Sequence, residues 1–204
     1  MFPLLLSAFL VSFAGAIVPG PILAVTIAKG CKSPWAGFYI ALGHVLINIS
    51  IIVLIYFGFG QFFQNSTVQF FLSILGGILI IWLGISMFRA RTSVVQEGKD
   101  LRYNAFTLGI LTTVFNPMFW LWWATIGSMF IMRFREFGII GLAAFIIAME
   151  IPNLVWYPFA SVMTYRTSSS RWGQKFRERV FFICSLLLIG FGIWFLVSGI
   201  QIVV

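Results

Sequence analysis

Six stretches of the 204-residue chain are almost continuously apolar. Each is long enough to cross a bilayer, which takes about 20 residues. They run from about Phe2 to Ala28, Ala36 to Phe59, Val68 to Phe88, Ala105 to Ile131, Phe137 to Met163 and Val180 to Val204. Two of them carry helix breakers inside. In the first, Pro19 and Pro21 flank Gly20. The two proline rings clash with the carbonyls one turn back, at Gly15 and Ile17, and glycine can take backbone angles closed to other residues. In the fourth, Asn116 precedes Pro117, a good N-cap followed by a good first helical residue. Pro117 also frees the carbonyl of Thr113 from its helical bond. The pattern predicts an all-α membrane protein of six transmembrane helices, the first and fourth broken at proline motifs, forming one domain over residues 1–204.

Composition agrees with that class. Hydrophobic residues make up 61% of the chain, charged residues 9%, and the mean hydropathy is +1.04. A formal net charge of +8 raises the question of nucleic acid, but the basic residues lie between or at the ends of the apolar runs, as orientation signals do. No nucleic-acid partner is expected. Cys31 and Cys184 form no C-x-x-C pair, which argues against thiol-redox chemistry and a metal site. The N-terminal run lacks a basic leader and continues past Pro21, so a retained first helix is expected rather than a signal peptide.

Loop charge sets the orientation. Eleven of the thirteen Lys and Arg residues fall in the first, third and fifth loops: Lys29 and Lys32; Arg89, Arg91, Lys99 and Arg102; Arg166, Arg171, Lys175, Arg177 and Arg179. The second loop has none and the fourth only Arg133 and Arg135. The basic loops are expected in the cytoplasm, with both termini outside a plasma membrane. Three crossings per half make halves of about residues 1–100 and 101–204 antiparallel, a 3+3 inverted repeat. Each half opens with a broken helix and follows it with one bearing polar groups: His44 and Asn48, then Glu150 and Asn153.

Restarted half-helices of opposite sense would point their positive ends at one central cavity and suit a carboxylate. Pro19, Gly20, Pro21, Asn116, Pro117, Asn48 and Asn153 are therefore the candidate substrate-binding residues. Glu150 is the only acidic residue inside a span. Charge at that depth costs on the order of several kcal/mol, so such a group faces a partner or a cavity. Glu150 is the candidate proton carrier or ammonium partner, with Asn153 and Tyr157 on the same helical face; the bland alternative is a neutral Glu acting as interhelical glue. His44, the sole histidine, is weighed evenly between proton coupling and a buried helix interface. Trp120, Trp122 and Trp123 are read as packing residues, with cation–π contact to a substrate as the minority reading. Gly37, Gly43, Gly76, Gly77 and Gly84 are read as close-packing positions, and Lys29 as an interfacial snorkelling residue. No catalytic or metal-binding set and no cofactor is expected.

Pro19-Gly20-Pro21 near the end of a first apolar helix, then Lys29-Gly30 and a second helix with Gly37 and Gly43, resembles the LysE/RhtB family of amino-acid exporters. The Gly-rich run from Gly76 to Arg89 and the pair Phe106 to Gly109 and Phe115-Asn116-Pro117 are similar to that family's third and fourth helices. Where many members carry Asn-Pro-Lys, this chain has Asn116-Pro117-Met118. The resemblance implies a secondary transporter moving amino acids or related small metabolites outward, coupled to a proton or membrane-potential gradient, as a homodimer and not an enzyme. The competing readings are an ion transporter on the same scaffold and a non-transporting membrane scaffold.

Overall fold

The computed structural model describes residues 1–18, 20–59, 103–167 and 171–201, with 67, 70, 71, 73–78, 81, 82, 84, 85, 88 and 89 of the stretch between. The described residues are helical throughout, joined by short turns. Helix α1 (Phe2–Ile17) is followed by α2 (Pro21–Gly30), and α3 (Ala36–Leu54) runs on into a wide π-helical turn, Ile55–Phe59. In the second half come α4 (Ala105–Val114), α5 (Pro117–Trp122), a π-helical turn (Trp123–Gly127) and α6 (Ser128–Arg135). The chain ends with α7 (Gly138–Thr167) and α8 (Arg171–Gln201).

Both interruptions fall where the prolines predict them. The axis bends by 61° between α1 and α2, and by 60° between α4 and the run Met118–Arg135. Ala36–Gly58 and Gly138–Thr167 are long and apolar enough to span a membrane unbroken. Each bent pair makes a further span if its two pieces cross together. Pro152 and Pro158 lie within α7 without ending it. Most of the third run, Val68 to Phe88, and the loop residues Arg91, Lys99 and Arg102 lie outside the described residues.

Several basic residues read as loop lie in helices instead: α2 carries Lys29, α6 carries Arg133 and Arg135, α7 carries Arg166, and α8, which begins at Arg171, carries the stretch to Arg179. Hydropathy marks where a helix becomes apolar, not where it starts. Arg, Lys, Gln and Glu are good helix formers, and they extend the helix beyond its hydrophobic part.

Helix α3 is the axle of the fold, packed against α2, α4 and α7, while α1 lies along α7. Its approach to α4 and α7 is close enough that backbone meets backbone. A Cβ on Gly43 would overlap the Phe106 carbonyl oxygen, one on Gly109 the Ile40 carbonyl, and one on Gly37 the Tyr157 carbonyl. Gly77 and Gly192 face each other similarly, with a Cβ on Gly77 3.0 Å from the Gly192 oxygen. Lipid tails are as apolar as leucine, so association within the membrane depends on this kind of contact. Near the end of α7, the Ser161 hydroxyl is shared between the Ser33 carbonyl at 3.1 Å and the Pro34 carbonyl at 3.0 Å, which ties the loop after α2 to that helix. Lys29, expected to snorkel to the surface, is instead buried at the end of α2.

Gly109→Leu forces the α3 and α4 backbones apart and is expected to cost on the order of 3 kcal/mol, at the upper end for overpacking because backbone cannot step aside. Gly190→Ala, where a Cβ meets nothing within 4 Å, leaves stability unchanged. Thermal melting of the detergent-solubilised variants checks both.

Candidate functional site

The two breaks are built differently. At the second, Asn116 has extended backbone and caps α5 with its own side chain, whose Oδ1 accepts from the Met118 amide at 3.1 Å. The Phe119 amide donates to the Asn116 carbonyl at 3.0 Å. The Thr113 carbonyl, which Pro117 was expected to leave free, accepts the Asn116 amide at 3.2 Å. The chain turns back on itself by one residue and reuses that acceptor. At the first break, Pro19 lies outside the described residues, and Pro21 is buried at the first position of α2. Gly20 is the N-cap, with φ −145° and ψ −175°. That is extended backbone open to any residue, so the expected need for glycine's special angles is not met here.

Between the breaks lies a buried polar network that joins the two halves of the chain. Glu150, 4% exposed on α7, accepts from Asn48 Nδ2 through Oε1 at 2.6 Å and from Asn153 Nδ2 through Oε2 at 3.4 Å. The amide of Asn48 has one permitted orientation. Its Oδ1 accepts from Trp123 Nε1 at 2.9 Å, and an indole can only donate, so the NH₂ must face Glu150. Asn153 also donates to the Met149 carbonyl at 3.0 Å and lies 3.5 Å from Ser12 Oγ. Ser12 donates to that same carbonyl at 2.5 Å, which brings in α1. Glu150 thus receives donors on both oxygens, and no cationic side chain touches it among the described residues.

His44 sits one turn away from Asn48 on α3. Its Nδ1 lies 2.9 Å from Thr113 Oγ1, and that hydroxyl donates to the Gly109 carbonyl at 2.7 Å. With its hydroxyl hydrogen so used, Thr113 offers the ring a lone pair, which assigns the proton to Nδ1. The His44 ring stands edge-on to Tyr157 at 6.2 Å between centroids and to Phe119 at 6.1 Å. Tyr157 packs with Ala16 and Ile22, on either side of the first break, and Phe119 is two residues past Pro117. His44 therefore bridges the neighbourhoods of the two breaks.

Among the anticipated residues, the structure gathers Asn48, Glu150 and Asn153 into one network and sets His44 beside it with Thr113. Ser12, Thr113 and Trp123 were not singled out for it. Ser12 and Thr113 are isolated hydroxyls in apolar runs, a signal shared with many residues that only bond their own helix, as Ser7 and Thr26 do. Trp123 is one of three closely spaced tryptophans, and at 1% exposure it is the buried one of them, at the start of the wide turn Trp123–Gly127. π-helical turns recur at functional sites. A Cβ on Gly127 would strike the Trp122 and Trp123 rings, so the turn needs a glycine there. Among the described residues no group of three His, Cys, Asp or Glu stands close enough to hold a metal ion.

Comparison with known proteins meets this geometry from another direction. The model of the LysE type translocator family matches residues 13–199. "Putative amino acid efflux protein YcgF" of Bacillus subtilis (strain 168) is 27% identical over 192 residues, covering 89% of this chain and 90% of that protein. No solved structure gives a significant match. A match over nearly the whole chain, including both proline breaks and Asn48, Glu150 and Asn153, places this protein in the LysE-type translocator family: it is a membrane transporter and not an enzyme.

Proposed function

We infer that the protein exports amino acids or closely related small metabolites across the plasma membrane by alternating access, driven by a proton or membrane-potential gradient. The observation that carries this reading is Glu150, buried between the halves, cradled by two amides and touched by no cationic side chain among the described residues. A carboxyl group so placed can exchange a proton, or it can take the ammonium of a zwitterion. The relative named for efflux supports the amino-acid class and the outward direction.

In this reading the substrate site is formed by Pro19, Gly20 and Pro21 at one break, Asn116 and Pro117 at the other, and Asn48 and Asn153 between them. Glu150 carries proton coupling, with His44 beside it. The two halves form one domain as a 3+3 inverted repeat of six helices, and the polar bonds between Asn48 and Glu150 and between Ser12 and Met149 cross from one half to the other. Rocking one half against the other must break and remake them. A homodimer with both termini outside completes the proposal.

Proteoliposomes loaded with labelled amino acids test the mechanism. Glu150→Gln keeps the shape of the side chain and one acceptor oxygen for Asn48 but cannot ionise, so proton-driven efflux falls to the level of empty liposomes while the protein elutes as wild type. Undiminished proton-driven efflux removes Glu150 from the mechanism. Orientation is read in intact cells, on a background with Cys31 and Cys184 replaced by Ser. A membrane-impermeant maleimide labels Glu136→Cys in the fourth loop and spares Ser33→Cys in the first; the reverse pattern inverts the topology.

A further inference from the structure

An amide beside a carboxyl group has two ends to offer it. Turned one way, Asn48 gives Glu150 its NH₂; turned the other way, it gives its oxygen. The second arrangement suits only a Glu150 that carries its proton on Oε1, because two oxygens with no hydrogen between them repel. The choice is made on the far side of the amide. Trp123 Nε1 donates to Asn48 Oδ1 at 2.9 Å while Asn48 Nδ2 donates to Glu150 Oε1 at 2.6 Å. A rotated amide would set its NH₂ against the indole N–H, donor against donor, and the indole would lose its acceptor.

The indole itself has little freedom. Trp123 is 1% exposed, and the rings of Phe119, Trp122 and Phe145 stand steeply inclined to it, with centroids at 6.4, 4.7 and 6.5 Å. With the indole held and the amide fixed by it, Asn48 is a donor to Oε1 whether Glu150 is charged or neutral. Oε1 is then the acceptor oxygen of the carboxyl, and a proton carried by Glu150 belongs on Oε2. There the Asn153 contact is longer, at 3.4 Å, and the same Asn153 Nδ2 also donates to the Met149 carbonyl at 3.0 Å. Oε2 is the less tightly held of the two oxygens and the better placed to exchange a proton.

We propose that Trp123 is a positioning residue for proton-coupled transport: its indole N–H holds the Asn48 amide as a donor to Glu150 and so assigns the exchangeable proton to Oε2. The proposal rests on the reading of Glu150 as the proton carrier of an amino-acid transporter and deepens it. Trp123 acts through Asn48, touching neither the proton nor the solute. Packing alone would ask only for a large apolar ring at this position.

Two substitutions separate the N–H from the bulk. Trp123→Phe keeps an aromatic ring and removes the donor. Trp123→His gives up the six-membered ring, but an imidazole overlays the five-membered ring of the indole and places Nε2, which donates in one tautomer, where Nε1 stood. Wild-type proteoliposomes are offered each of the twenty standard amino acids for exchange without a gradient, and one that exchanges is then followed in efflux driven by an imposed proton gradient. In Trp123→Phe the ratio of driven efflux to exchange falls by about threefold to tenfold, the worth of one hydrogen bond. In Trp123→His the ratio stays at the wild-type value. Exchange and driven efflux that fall together in Trp123→Phe, or an unchanged ratio there, overturn the positioning role. A lowered ratio in Trp123→His overturns it as well, and that variant carries the test should Trp123→Phe fail to fold. If the wild type exchanges no amino acid, or exchanges one that a proton gradient does not drive, the underlying reading fails and the role of Trp123 with it.

Discussion

A carboxyl group surrounded by apolar helices must find its hydrogen-bond donors within the protein, because lipid supplies none. Glu150 finds one on its own helix, at Asn153, and the other across the interface between the halves, at Asn48. That second bond sets much of the rest. Trp123 fixes which way the Asn48 amide faces by donating to its oxygen, and Trp123 stands where the helix after the second break opens into a wide turn. The break, the turn, the indole, the amide and the acid form one chain of dependence from backbone to chemistry. Ser12 closes it on the other side by donating to the carbonyl of Met149.

Close packing makes this possible. Gly43 and Gly109 let α3 and α4 meet at backbone distance, and Gly37 does the same for α3 and α7. Larger residues there would move α3 outward and carry Asn48 away from Glu150. The glycines contribute no chemistry, yet they set the distance over which the chemistry acts. The clusters around the network are apolar and rich in aromatic rings, with Phe119, Trp123, Phe134 and Phe145 on one side and Tyr157 on the other. A low-dielectric shell of this kind strengthens every polar contact inside it and raises the cost of leaving one unmade.

Much of this was legible in the residues. Proline inside an apolar run has few uses, so both breaks could be placed from sequence, and Asn116 before Pro117 announced its own cap. Glu150, Asn153 and Tyr157 share a face by helical spacing alone, and all three are buried. The glycines of α3 were readable as contact points for the same reason. What was not legible depends on geometry that no local pattern encodes. Which of Trp120, Trp122 and Trp123 faces inward depends on the direction in which the chain re-enters its helix after the second break, so spacing alone could not single out Trp123. The extended backbone at Gly20 and the reuse of the Thr113 carbonyl are outcomes of how the chain re-enters a helix, and proline spacing leaves both open. The start of α8 escaped because charged helix formers extend a helix beyond the hydropathy that marks it.

The bond between the halves is the central claim, and a double-mutant cycle measures it most directly. Unfolding free energies of the wild type, Asn48→Ala, Glu150→Ala and the double variant are compared in the same detergent. The account predicts a coupling of about 1–3 kcal/mol, because each single change leaves the other buried group without its partner. Additive effects, with no coupling between the two positions, would show that Asn48 does not hold Glu150.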